Sequence, residues 1–383
     1  MRLLHPDGFH RGVFYATLLA VTSASKQALL HWFDVNQREM PWRLTKDPYA
    51  IWVSEMMLQQ TQVVTATPYW LRWMERFPSV ASLADAPLDD VLMHWQGLGY
   101  YARARNMHKA AAVVLTEHNG VFPTSYDDLL ALPGVGPYTA AAVSSISSDA
   151  HQAVVDANVI RVLCRHEGIT DNPKLPAVQV QLQMIADANL DAARPGDFNQ
   201  AMMELGATLC TPKSPACDRC PIGNDCIAKQ NGQPEQYPLP IDKPKAIRRT
   251  DVLLIPLCDG KTYTQQLPHD GLWGGLYSFP RATVMEDASA VETAERLANE
   301  LLGDHKGHIV ELGRLRHAVT VYSVELIAFV VSAPEVSVCD EAWKSLADID
   351  TYPMPNPQAK LWAKHKQILL SGRLPVSQPA LEL

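Results

Sequence analysis

Apolar positions in the first two thirds of the chain recur near helical spacing. Between residues 24 and 36 the apolar residues are Ala28, Leu29, Leu30, Trp32 and Phe33. The same rhythm predicts helices over 50–67, 69–77, 79–84, 88–98, 102–118, 137–147 and 158–167, separated by short turns marked by Pro and Gly. Strand signals are sparse here, so residues 25–228 are expected to form a mainly α region. The pattern then changes. Residues 229–250 hold Gly232, Pro234, Pro238, Pro240 and Pro244 among Gln, Lys and Arg, the composition of a linker. Beyond it, 251–257, 275–279 and 319–331 are rich in β-branched and aromatic residues, and 288–302 reads as a helix. Residues 251–375 are therefore expected to form a smaller α+β domain. Residues 1–24 are expected to be a disordered extension.

The composition fits this division. The chain has 383 residues, 47% of them hydrophobic and 19% charged, which excludes an acidic disordered chain, a collagen and a small disulfide scaffold. No run of 18 apolar residues occurs, so no membrane association is expected. An apolar stretch at 13–21 behind Arg2 and Arg11 loosely fits a secretory signal. Net charge is −8, with 17 basic against 22 acidic residues in 1–228, 5 against 2 in 229–250 and 11 against 17 in 251–383. Bulk charge therefore argues against nucleic acid, and a DNA-binding reading must rest on local features.

Four of the seven cysteines, Cys210, Cys217, Cys220 and Cys226, form a C-x6-C-x2-C-x5-C series. Soft thiolates this close together wrap one metal centre. Zinc sites usually show two C-x2-C pairs, and here only the middle pair has that spacing, so the pattern favours a 4Fe–4S cluster. A thiolate-bound cluster built in a reducing compartment also speaks against the secretory signal. Cys164, Cys258 and Cys339 lie among apolar neighbours and are expected to be buried thiols.

Four further motifs suggest chemistry, each with an ordinary alternative. Leu132, Gly134, Val135 and Gly136 belong to LPGVGPY, where two glycines before a helix allow outward N–H groups to hold a phosphate; a plain helical corner has the same look. Asp156 stands before an apolar helix with Asn158 as its expected N-cap; the helix start would keep Asp156 ionised, or both residues simply cap. Glu55 is the only charge between Asp47 and Arg72. Among Trp52, Val53, Met56 and Leu58 it would lose solvation, rise in pKa and suit proton donation, or it faces solvent on an amphipathic helix. Finally, GLGYYARAR at 97–105 sets Tyr100 and Tyr101 beside Arg103 and Arg105, with no Asp or Glu from 91 to 116. Base stacking with phosphate contacts, or a charged helix face after a turn, both fit. Two carboxylates in contrasting environments are the usual equipment for cleaving a glycosidic bond.

Together these motifs resemble the endonuclease III superfamily of helix-hairpin-helix DNA glycosylases. SEMMLQQTQ at 54–62, GLGYYAR at 97–103, NQAMMELG at 199–206 and the appended C-terminal domain look like its MutY-type adenine glycosylase branch. The resemblance runs from about residue 25 to about residue 370 and is strongest up to residue 228. It implies a helix-hairpin-helix glycosylase region with its cluster loop, a Nudix-like C-terminal domain, and removal of adenine opposite 8-oxoguanine or guanine in double-stranded DNA. It also implies that Glu55 protonates adenine N7, Asp156 stabilises the charge at C1′, and Tyr138 and Asn158 position them. Gln60 and Tyr100 would fill the duplex and touch the partner base. The related bifunctional enzymes carry a lysine where this chain has Tyr138, and no lysine occurs between Lys109 and Lys174, so monofunctional hydrolysis is expected. The branch reads 8-oxoguanine with a Phe-Ser-His loop, which aligns with Val319-Thr320-Val321; only the Thr320 hydroxyl is kept. A monomer in the bacterial cytosol is the expected setting. Relatives acting on thymine or uracil opposite guanine, and a non-catalytic Fe–S DNA-binding module, are the alternatives.

Overall fold

The computed structural model describes residues 21–239, 245–303, 307–332 and 341–371. Cys339 and residues 1–20 lie outside them. The described fold includes residues before the expected boundary at residue 25. Val21 is buried and its N–H donates to Asn189 Oδ1 at 2.6 Å. Thr22 then caps the first helix by accepting from the Ser25 N–H.

The helices are Ser23–Asn36 (α1), Pro48–Leu58 (α2), Val63–Arg76 (α3), Val80–Ala84 (α4), Leu88–Trp95 (α5), Ala102–Glu117 (α6), Tyr126–Ala131 (α7), Pro137–Ser148 (α8), Ala157–His166 (α9), Pro176–Asn189 (α10), Pro195–Thr208 (α11), Ile227–Gln230 (α12), Ala290–Leu302 (α13) and Asn356–Ser371 (α14). The single helix expected over 50–67 is two. Gln60 takes a left-handed φ of 58°, which stops α2, and α3 then runs through Pro68. Proline deprives the Val64 carbonyl of its helical donor, but Val64 is exposed, so water can take that role. Among the described residues no helix is long and apolar enough to cross a membrane.

The chain packs as two units. Among the described residues, one lies within 1–51, 124–131 and 135–241 and the other within 52–123, 132–134 and 242–383. In the first, α1, α8, α9, α10 and α11 bury Leu29, Phe33, Val162, Leu163, Leu182, Phe198 and Leu205. Glu204 on α11, 1% exposed, sits inside this unit. Arg38 grips it through two guanidinium N–H groups at 2.6 and 3.0 Å and its backbone N–H at 3.2 Å, and a guanidinium N–H of Arg43 adds a fourth bond at 2.9 Å. Burial works to raise the Glu204 pKa, but the two guanidinium groups outweigh it and hold the carboxyl below its ordinary value.

In the second unit a mixed sheet packs between α13 and α14. Its strands are Ile247–Cys258 (β1), Lys261–Tyr263 (β2), Arg281–Thr283 (β5), Ile309–Val319 (β6), Tyr322–Ser332 (β7) and Trp343–Ser345 (β8), and Gln265–Gln266 (β3) pairs with Tyr277–Ser278 (β4) outside it. The order is β6-β7-β1-β2-β8, with β5 also on β1. The β1–β7 pair is parallel and the others are antiparallel. Alternation assigns Leu253, Ile255, Leu326 and Ala328 to the α14 side, and Val252, Leu254, Ile327 and Phe329 to the α13 side. Both faces are covered, which is why the sequence here is almost continuously apolar. The run at 319–331 proves to be a hairpin turn followed by a strand. Thr320, with φ of 51°, turns the chain between β6 and β7 where the sequence offers no Gly or Asn to mark it.

Candidate active site

In the first unit, α9 starts at Asp156, not at Asn158. Asp156 has extended backbone, and its Oδ1 accepts from the Val159 N–H at 2.7 Å. An aspartate here stabilises the helix by ~1 kcal/mol relative to alanine. Asn158 is already helical. Its amide donates to Asp156 Oδ2 at 2.8 Å, so both carboxylate oxygens are held. The Asp156 pKa moves opposite to the expectation from a helix start. Burial pushes it above the ordinary aspartate value, outweighing the Val159 and Asn158 donors and the nearby Arg161 charge.

Two residues not singled out in the sequence support this pair. Arg161 donates to Asn158 Oδ1 at 2.9 Å, to the Gly206 carbonyl at 2.7 Å and, through Nε, to the Cys210 carbonyl at 2.8 Å. Gly206 lets α11 approach: a Cβ there would lie 2.6 Å from Asn158 Cβ and 2.9 Å from its carbonyl oxygen. The only sequence signal was the position of Gly206 at the end of NQAMMELG. Gly206→Ala must displace Asn158. We expect it to lower single-turnover excision by roughly 10²-fold, as about 1 Å of misplacement can do, while iron content stays at the wild-type level. Unchanged excision would show that Asn158 does not need its present place.

Tyr138, on the first turn of α8, lines a pocket of about 430 Å³ with Tyr126, Gln152, Val155, Ile160 and Gln179. Its hydroxyl lies 3.6 Å from the Met203 sulfur. In the hairpin before α8, the Leu132 and Val135 side chains are buried, so these two residues can offer a ligand only their backbone. Gly134 has φ of 77°, and Gly136 is the N-cap of α8 with Pro137 in its first turn.

Glu55, Gln60, Tyr100 and Thr320 belong to the second unit. Glu55, on α2, is 5% exposed beside the fully buried Trp52 and Val53, so the solvent-facing alternative does not hold. Gln60 is exposed at the left-handed position that ends α2. Arg103, expected to reach phosphate, is buried. One of its terminal nitrogens donates to the Met56 and Gln59 carbonyls at 2.7 Å each, and the other to the Leu98 and Gly99 carbonyls at 3.5 and 3.3 Å. Desolvation lowers its pKa to about 10. Tyr101 is buried too, while Tyr100 is 62% exposed. Tyr100, Arg105, Trp273, Arg316, Thr320 and Lys360 line a pocket of about 410 Å³ that contains cations and aromatics and, among the described residues, no carboxylate.

The four cysteines of the spaced series line one pocket in the first unit, with Arg165 and Lys229 beside them. All four are free. Burial pushes up the pKa of the Cys217, Cys220 and Cys226 thiols, Cys220 to about 12, and proximity to one another adds to this. Four soft donors in a partly desolvated pocket fit a cationic iron–sulfur core, which supplies the charge that would keep them as thiolates. Among the described residues, no three His, Cys, Asp or Glu side chains converge as they would on a single ion.

Residues 53–186 match the HhH-GPD superfamily of base excision DNA repair proteins, 251–364 a NUDIX domain, and 210–226 the iron–sulfur binding domain of endonuclease III. An adenine DNA glycosylase of Buchnera aphidicola (from Schizaphis graminum) is 31% identical over 88% of this chain and 96% of its own length. The chain belongs to the adenine DNA glycosylase family. The human adenine DNA glycosylase is 34% identical over 90% of this chain and 74% of its own. The rat one is 46% identical, but the match covers 58% of this chain and only 45% of the rat protein. Among solved structures, a thermostable thymine-DNA glycosylase aligns with TM-score 0.50 and 27% identity over 54% of this chain and 95% of its own. As a family member with the endonuclease III iron–sulfur segment, the chain carries a 4Fe–4S cluster, and the matched segment 210–226 contains Cys210, Cys217, Cys220 and Cys226.

Proposed function

We propose that the chain hydrolyses the N-glycosidic bond of adenine paired with 8-oxoguanine or guanine in duplex DNA, and stops at the abasic site. The observation that carries this reading is Asp156. It is a carboxylate held at both oxygens at the start of α9, in a chain of the adenine glycosylase family that also buries Glu55. In the reaction Glu55 gives its proton to adenine N7 and the C1′–N9 bond breaks with its electrons leaving on the base. Asp156 stabilises the cationic sugar. Water then bonds to C1′, releasing a proton that replaces the one Glu55 gave up. Asn158 and Tyr138 position these groups, and no lysine stands between Lys109 and Lys174 to cut the strand through a Schiff base. The adenine must leave the stack, at a cost of about a few kcal/mol that a mispair reduces. Gln60 and Tyr100 fill the gap. The backbone at Leu132, Gly134, Val135 and Gly136 holds the phosphates, and Thr320 meets the partner base from its cationic pocket. The protein works as a monomer on DNA in the bacterial cytosol, with 229–250 as a linker and 251–375 as the lesion-recognition domain.

A duplex panel tests this. With A:8-oxoguanine, A:G, T:G, U:G and thymine glycol substrates, only the adenine strand should be cut, and only after alkali. Cleavage without alkali would overturn the monofunctional claim. Excision of thymine would favour the activity named for the solved thymine-DNA glycosylase, and excision of uracil would likewise overturn the adenine reading.

A further inference from the structure

We infer that Arg165 is a positioning residue for the iron–sulfur cluster, supplying an N–H bond to the Cys210 sulfur while clamping both ends of the cysteine loop. Arg165 lies in the last turn of α9 and is buried. Its Nη1 is 3.3 Å from Cys210 Sγ and 2.7 Å from the Thr211 carbonyl, and its Nη2 is 3.0 Å from the Pro212 carbonyl. Its Nε donates to the Pro234 carbonyl at 2.8 Å, beyond the last cysteine. One planar group thus holds the entry to the loop, one of its sulfurs and the segment that follows it.

The other cation lining the pocket, Lys229, is a compact point charge on α12 without the planar fork that reaches widely spaced acceptors. A guanidinium N–H aimed at a thiolate draws electron density from sulfur. It therefore favours the cluster state that carries the additional electron. The three carbonyl contacts act separately, by keeping the loop closed against loss of iron. Charge and clamp can be separated experimentally, because lysine keeps the first and cannot reproduce the second.

The test compares holo wild type, Arg165→Met and Arg165→Lys, all prepared without oxygen. Iron content, the midpoint potential of the DNA-bound protein, and the half-life of the visible cluster absorbance in air are measured. Arg165→Met should load iron, show a lower potential and bleach several-fold faster. Arg165→Lys should keep a potential near wild type yet still bleach fast. If only the lysine variant loads, that same pair of results carries the inference. A fully loaded methionine variant with unchanged potential overturns it. So does a lysine variant with wild-type lifetime, or loss of iron from both variants, which would mark a purely structural arginine. Iron-free wild type would instead overturn the cluster assignment itself.

Discussion

Glu55→Gln is expected to lower single-turnover excision of adenine by about 10²–10⁴-fold, the range a positioned general acid supplies. The substitution changes almost no volume. Because Glu55 is buried on α2 beside Trp52 and Val53, an isosteric amide keeps the packing and removes only the proton. Duplex affinity should stay within a few-fold of wild type, since phosphate contacts supply most of the binding free energy. Gel-shift binding and quenched single-turnover assays on the same preparation separate the two. Near-normal turnover would remove Glu55 from the chemistry, and lost binding with a lowered Tm would make it a structural residue.

Asp156→Asn should be nearly as damaging, by about 10²–10³-fold, as expected for losing a preorganised electrostatic partner of the transition state. Asparagine caps helices about as well as aspartate, so α9 should survive, with Tm little changed. Asp156→Ala should lose the same activity and also some stability. The pH dependence gives a second check. The carboxylate is the working form, and burial raises its pKa above 3.8. Excision should therefore fall on the acid side at a higher pH than an ordinary aspartate would give. That limb should be absent in the residual activity of Asp156→Asn. An unchanged acid limb would assign it to another group.

Features encoded by local spacing were legible in the sequence. The cysteine series needs only four short intervals, and it falls where the endonuclease III segment matches. The apolar β1 and β7 follow from a sheet covered on both faces. Legibility ended where tertiary packing decides. Gln60 stood out only through the SEMMLQQTQ resemblance, and its left-handed φ was not legible. Arg103 carries the charge of a phosphate ligand, and only the fold surrounds it with carbonyls. Asp156 takes the capping role expected of Asn158, which is held instead by Arg161 on its own helix and by the close approach of Gly206 on α11. Gly206 itself has no local signature, since its meaning is the distance to a neighbour far away in the sequence.

The burial of Arg103 also bears on how this chain can diverge. A single guanidinium ties the end of α2, just before Gln60, to the turn that presents Tyr100. The two exposed side chains are then not independent units of inheritance. A lineage that lost Arg103 would have to rebuild both turns at once. Substitutions at Gln60 and Tyr100 should therefore be epistatic, drifting together or hardly at all.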